Sequence, residues 1–151
     1  MTNNLDAATE LSPTQSWDLV RSAVLGRLAV AVDGPDIFPV NHVVDHGTVV
    51  FRTAAGTKLM AAVDRPVAFE VDGYDLATAS AWSVVIKGYA VEITRRDEAL
   101  DAMTLPLFPW HQGPKGHFVR IEPESVTGRR FPVTGGVREP AASGAGGDGP
   151  S

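Results

Sequence analysis

Three apolar runs, residues 27–32, 37–44 and 48–53, are separated only by Asp33-Gly34-Pro35-Asp36 and Asp45-His46-Gly47. A parallel crossover needs about a dozen residues or more, so turns this short dictate antiparallel hairpins. Gly34, Gly47 and their aspartate neighbours supply the backbone freedom such turns require. Pro39 lies inside the second run, where its missing amide hydrogen is harmless only at an edge or a bulge. Further strands are expected at 66–71, at 82–93 with a bend at Gly88, at 118–122 and at 125–131. Helices are few. Ser12-Pro13-Thr14-Gln15 reads as a capping box with proline in the first turn, and Trp17, Val20 and Val24 share one face of the helix that follows. Short helices are expected at 57–63 and 96–104, the latter ended by Pro106. Six or seven short antiparallel strands with few helices predict a mainly β fold, a small barrel.

A chain of 151 residues is one domain. Residues 1–11 read as a flexible leader and 12–133 as the folded unit. Six of the 18 residues in 134–151 are glycine, so that segment reads as a disordered tail. The net charge of −5 argues against nucleic-acid or anionic-membrane binding, and no apolar run approaches the roughly 18 residues of a membrane helix. With no cysteine and no basic–apolar start, the reading is a cytoplasmic protein without disulfides or thiolate chemistry.

Several formal motifs fail on physical grounds. Gly144-Ala145-Gly146-Gly147-Asp148-Gly149 spells a dinucleotide fingerprint, but no strand precedes it and no helix follows. His42, His46, His111 and His117 are too scattered for a metal site, which needs three or four converging ligands. No Gly-x-Ser-x-Gly elbow is present. Asp64, Glu70, Asp72 and Asp75 sit near strand ends and turns and read as solvated surface carboxylates.

One constellation remains. Phe51-Arg52-Thr53-Ala54-Ala55-Gly56-Thr57-Lys58 is a strand that ends in a cation and a hydroxyl, then a small-residue turn, then a second hydroxyl and cation. Arg52, Thr53, Thr57, Lys58 and the amides around Gly56 have the chemistry of a phosphate-monoester site. Alternation puts Arg52 with Val50 on one face and Phe51 with Val49 and Thr53 on the other. Trp82 and Trp110 suit either a core or the wall of a flat ligand.

These residues carry a family resemblance spanning about residues 12–131. The chain resembles the pyridoxamine 5′-phosphate oxidase-like proteins, FMN-binding split β-barrels, and especially their short actinobacterial-type members. The segment from Phe51 to Lys58 is similar to the family's flavin-phosphate loop. Ile37-Phe38-Pro39-Val40-Asn41 resembles the strand that lines the isoalloxazine ring. Trp82-Ser83-Val84-Val85-Ile86-Lys87-Gly88 is similar to the strand carrying a polar flavin contact, and Gly128-Arg129-Arg130-Phe131 to the closing strand near a dimer seam. The resemblance implies a homodimer with FMN at its interface. Arg52, Thr53, Thr57 and Lys58 would hold the phosphate, Pro39, Val40 and Asn41 would face the ring, and Ser83 would reach its polar edge. Trp82 or Trp110 would cover it.

Two departures matter. The Arg-x-His element that grips pyridoxamine phosphate in true oxidases is missing, and Ser83 stands where the family often has glutamine. The expectation is therefore an FMN-dependent, NAD(P)H-linked oxidoreductase of a small electrophile, not a vitamin B6 oxidase, with no protein general acid or base and no metal. The alternatives are a deazaflavin F420-dependent reductase, and a non-catalytic flavin or haem carrier with His42, His111 or His117 as axial ligand.

Overall fold

The computed structural model describes residues 8–94 and 116–133. They form strand β1 (Thr9–Leu11), helix α1 (Pro13–Ser22), then β2 (Leu25–Ala31), β3 (Pro35–Asn41), β4 (Val43–Asp45) and β5 (Thr48–Thr53). Helix α2 (Lys58–Ala61) and the long strands β6 (Pro66–Asp75), β7 (Ser80–Glu92) and β8 (His117–Pro132) complete the order. The expected helix at 96–104, Trp110, His111 and the tail lie outside the described residues, and none of the described helices is long and apolar enough to cross a membrane.

The fold is mainly β, as expected: one curled antiparallel sheet in the order β3-β2-β6-β7-β8-β5-β4, with β1 added to β8. The two ends of that path, β3 and β4, are separated in the chain by His42 alone. Residues 35–45 therefore pair first with β2 and then with β5. The sheet is brought round on itself by one strand that changes partners, which is the split of a split barrel. From sequence alone 37–44 reads as a single strand, because the alternation runs on through the junction. Pro39 lies on β3, an end strand, where no ladder loses a donor.

Apolar side chains from both halves fill the interior. Leu28, Val49, Phe51, Phe69, Ile86, Val119 and Ile121 are fully buried in one cluster, joined by Val20 of α1. Helix α1 starts as its sequence dictates, with Ser12 and Gln15 exchanging both capping-box hydrogen bonds. It ends at Ser22, so Val24 leaves its face and is 55% exposed, contrary to expectation. The leader also ends earlier than expected. Thr9–Leu11 pair with Gly128, Arg129 and Arg130 of β8, and Leu11 is buried.

Two glycines mark close approaches. The β7–β8 register shifts between Lys87 and Gly88, the expected bend, and a Cβ on Gly88 would lie 1.9 Å from the Glu122 carbonyl oxygen. A Cβ on Gly128 would lie 2.2 Å from Ser16 Oγ, so that glycine sets how closely α1 docks on β8. Expected strands at 118–122 and 125–131 are one strand, because the chain remains paired to β7 on either side of the shift.

Candidate functional site

Strand β5 delivers the phosphate-type residues to the end of the barrel. Val49 and Phe51 enter the main core, while Val50 packs in a second cluster with Ile93, Val43 and Phe118. Thr53 is buried, and its hydroxyl lies 2.7 Å from that of Thr57. Thr57 caps α2, accepting from the Met60 amide at 3.1 Å and donating to the Ala54 carbonyl at 3.0 Å. A hydroxyl has one hydrogen, so Thr53 is the donor between the two threonines. Gly56 makes the turn at φ +78°, with nothing within 4 Å of where a Cβ would stand. The result is a hydroxyl pair beneath an open peptide turn.

The two cations are arranged differently from one another. Lys58 Nζ donates to Asp36 Oδ2 of β3 at 2.5 Å, and that hydrogen bond raises its pKa. Arg52 lies on the opposite face of β5 from Thr53, its guanidinium 5.4 Å from the centroid of the Phe118 ring. The structure thus joins Thr53 and Thr57, sets Lys58 on the next residue, and holds Arg52 over the strand's other side.

The ring-facing candidates divide between core and surface. Phe51 and Val40 point into the core, so their side chains shape the strands instead of meeting a ligand. Pro39 is exposed and Asn41 half-buried, both out of phase with Val40. Trp82 stands opposite Gly73 and lies so close that a Cβ there would be 2.6 Å from its ring, so packing is its visible role. Ser83 is flanked in register by Asp72 of β6 and Arg129 of β8.

Two polar groupings on these strands escaped the sequence reading. Arg27 of β2 lies in register with Pro39 on one side and Glu70 on the other. Its Nε and Nη2 donate to Glu70 Oε1 at 3.2 and 2.8 Å, and Nη2 also donates to Asp72 Oδ2. The pair of carboxylates raises the pKa of Arg27. Burial, reinforced by Asp72, raises that of Glu70, whereas Arg27 lowers that of Asp72. Exposed ion pairs of this kind contribute at most about 1 kcal/mol to stability. Second, His117 stands opposite Thr53 and its Nδ1 lies 2.6 Å from Glu92 Oε1. The signals in the sequence were the i,i+2 carboxylates of β6 and a histidine opening β8, but only the register joins them to their partners.

His42, a haem-ligand candidate, is held at the β3–β4 junction. Its Nε2 is 2.9 Å from the Val20 carbonyl, and its ring meets Phe69 edge-on at 4.8 Å. Burial pushes its pKa below the ordinary imidazole value. Those contacts make it a pin between α1 and the barrel. Among the described residues no group of three or more His, Asp or Glu side chains is placed to hold a metal ion.

Comparison with known proteins places the same stretch in a familiar setting. A family model described as pyridoxamine 5′-phosphate oxidase matches residues 12–130. The fold is similar to that of a FAD-binding protein from Mycobacterium smegmatis, at 41% identity and TM-score 0.73, covering 82% of this chain and 98% of that one. A conserved protein of unknown function from Corynebacterium diphtheriae is 40% identical with TM-score 0.71, over 83% and 99% of the two chains. A FAD-binding protein from Mesorhizobium loti is 27% identical with TM-score 0.64, over 83% and 97%.

Proposed function

The chain belongs to the pyridoxamine 5′-phosphate oxidase family, and from that premise we propose that it binds a flavin by its ribityl phosphate and serves as an NAD(P)H-linked reductase of a small electrophile. The observation that carries the reading is the Thr53–Thr57 hydroxyl pair, 2.7 Å apart under the left-handed Gly56 turn with Lys58 alongside. That donor set fits a phosphate monoester. The exposed peptides of the turn and the Lys58 ammonium can donate to phosphate oxygens, while the Thr53–Thr57 bond holds the turn in place. Lys58 can turn from Asp36, because both side chains are partly exposed.

When bound, the flavin supplies the two-electron chemistry, and the protein supplies binding, orientation and local charge. Pro39, Asn41 and Ser83 give the outer face of β3 and β7 the surface a flat ring would meet. In this reading the chain is a homodimer, its two subunits packed on that face to enclose the ring. Oxidation of pyridoxamine phosphate is not part of this reading. Residues 118–151 contain no histidine and so hold no Arg-x-His element of the kind that grips that substrate.

FMN is the smaller of the two flavins that carry a ribityl phosphate, and is the first reading. FAD is the second reading, favoured by the FAD-binding description of a relative 41% identical to this chain. FAD carries the ribityl phosphate inside a pyrophosphate, so it would present the cradle with one terminal oxygen fewer than the FMN monoester. The purified protein should show flavin absorption, and heat release followed by chromatography should identify FMN or FAD. Replacing Thr57 by valine and Lys58 by alanine together should abolish retention. A double variant that keeps flavin as tightly as wild type would overturn the phosphate assignment.

A further inference from the structure

Three strands meet at one end of the barrel with a polar residue on the core-facing side. Thr53 ends β5, His117 opens β8 and Glu92 ends β7. Thr53 and His117 stand directly opposite one another. The pair before them, Phe51 and Val119, is fully buried, and Glu92 lies opposite Val119. Alternation therefore keeps all three on the inner side, where they close the end of the core.

Their hydrogen bonds leave one atom over. His117 Nδ1 lies 2.6 Å from Glu92 Oε1, and a carboxylate only accepts, so Nδ1 carries a hydrogen. Nε2 is not buried and has no hydrogen-bond partner among the described residues. With Nδ1–H given to Glu92, Nε2 donates as the imidazolium, the form that a carboxylate at one nitrogen and an anion at the other both favour. The neighbouring turn is short of such donors. A phosphate monoester presents three acceptor oxygens. Thr53 gives its hydrogen to Thr57, Thr57 gives its own to the Ala54 carbonyl, and Lys58 is shared with Asp36. Arg52 lies on the other face of β5.

We propose that His117, oriented by Glu92, is a phosphate-recognition residue of the flavin site, donating from Nε2 to the ribityl phosphate held at the Thr57 turn. Directly opposite residues of an antiparallel pair have Cβ atoms about 5 Å apart, so His117 stands beside Thr53, whose hydroxyl bonds the turn. The inference rests on the flavin reading and adds to it a second charged donor. Glu92 is a positioning residue, which fixes the nitrogen turned to the phosphate and supports the charge on the ring. The groups facing the ring are Glu92 from β7, the uncharged Thr53 from β5 and, across it, Lys58 of α2. The exposed Asp64 and Arg65 lie farther along β7, beside Ala90.

Fluorescence titration of the full, flavin-stripped chain with FMN, FAD and riboflavin reads the contact. His117→Gln should lower FMN affinity at least tenfold and leave riboflavin affinity unchanged, which also shows that the variant is folded. In wild type the ratio of FMN to riboflavin affinity should fall as the pH rises from 7 to 9. Over that range the phosphate, with its second pKa at about 6, is already a dianion. Lys58, its pKa raised by Asp36, keeps its charge. Ionisation of the flavin ring cancels in the ratio. His117→Gln should flatten the fall, and Glu92→Gln, which removes the carboxylate supporting the imidazolium, should move it to lower pH. A loss for FMN alone assigns the contact to a terminal monoester and a loss shared with FAD to the inner ribityl phosphate, and either supports it. A loss for FAD alone would place His117 against another part of that ligand and overturn the inference. A wild-type preference for FMN over riboflavin that His117→Gln leaves intact, or an equal fall with pH in that variant, would overturn it while the flavin reading stands. Absence of the preference in wild type would remove the phosphate assignment and this inference together.

Discussion

At the scale of single residues, the outcome turns on which polar atoms are already committed. Lys58 is held by Asp36, so a phosphate must compete with that carboxylate for the ammonium. Asp36→Asn should therefore tighten FMN binding several-fold at low ionic strength, and Lys58→Ala should weaken it about tenfold, the equivalent of about 1.4 kcal/mol. Fluorescence titration at two salt concentrations measures both. His42 makes a different prediction. Its folded-state pKa is depressed by burial, so the native protein binds fewer protons than the unfolded chain once the pH falls below about 6.5. Stability should be unaffected by this group above that pH and should fall progressively as the pH drops from there toward the folded-state pKa. Urea unfolding from pH 7.5 to 5 should show wild type losing more stability than His42→Gln. Parallel profiles would remove His42 as the cause.

At the scale of elements, turns and caps were legible because they are written in consecutive residues. Ser12 and Gln15 announced the capping box, and Asp33-Gly34 and Asp45-His46-Gly47 announced the hairpins. Where an element depends on a distant partner the sequence was silent. Nothing local distinguishes residues 37–41 from 43–45, yet they pair with different strands. The run-on of β8 through Pro123 and Glu124 depends on β7 staying paired across its shift at Gly88. Gly88 was visible as a bend, but the reason was not: the Glu122 carbonyl occupies the space a side chain would need. Gly88→Ala should consequently destabilise the protein by about 1–3 kcal/mol through backbone displacement. A melting temperature equal to wild type would show that the two strands can separate there without loss.

At the scale of the whole molecule, one curled sheet creates two chemically distinct surfaces from alternating residues. The end of the barrel collects Thr53 and Thr57, with the Glu92–His117 pair beside them. The outer face collects Pro39 and Arg27 with Glu70, and Asp72 with Ser83. The phosphate-type residues were readable because they lie within one short segment. Arg27 and its two carboxylates come from separate strands and meet only through register, which is why Glu70 and Asp72 looked like ordinary surface. Ring contacts read from residues 39–41 needed the same correction, since alternation buries Val40 between two outward neighbours. The family tie explains the architecture, while the substrate depends on the side chains carried on that frame.

The central claim is that the Thr53–Thr57–Lys58 turn recognises a flavin phosphate. Comparing FMN with riboflavin by fluorescence quenching of the purified, flavin-stripped protein tests it most directly, because the two ligands differ only in that phosphate. The account predicts that wild type binds FMN at least tenfold more tightly, and that Thr57→Val combined with Lys58→Ala erases the difference while riboflavin affinity stays the same. Equal affinities in wild type, or a difference that persists in the double variant, would contradict it.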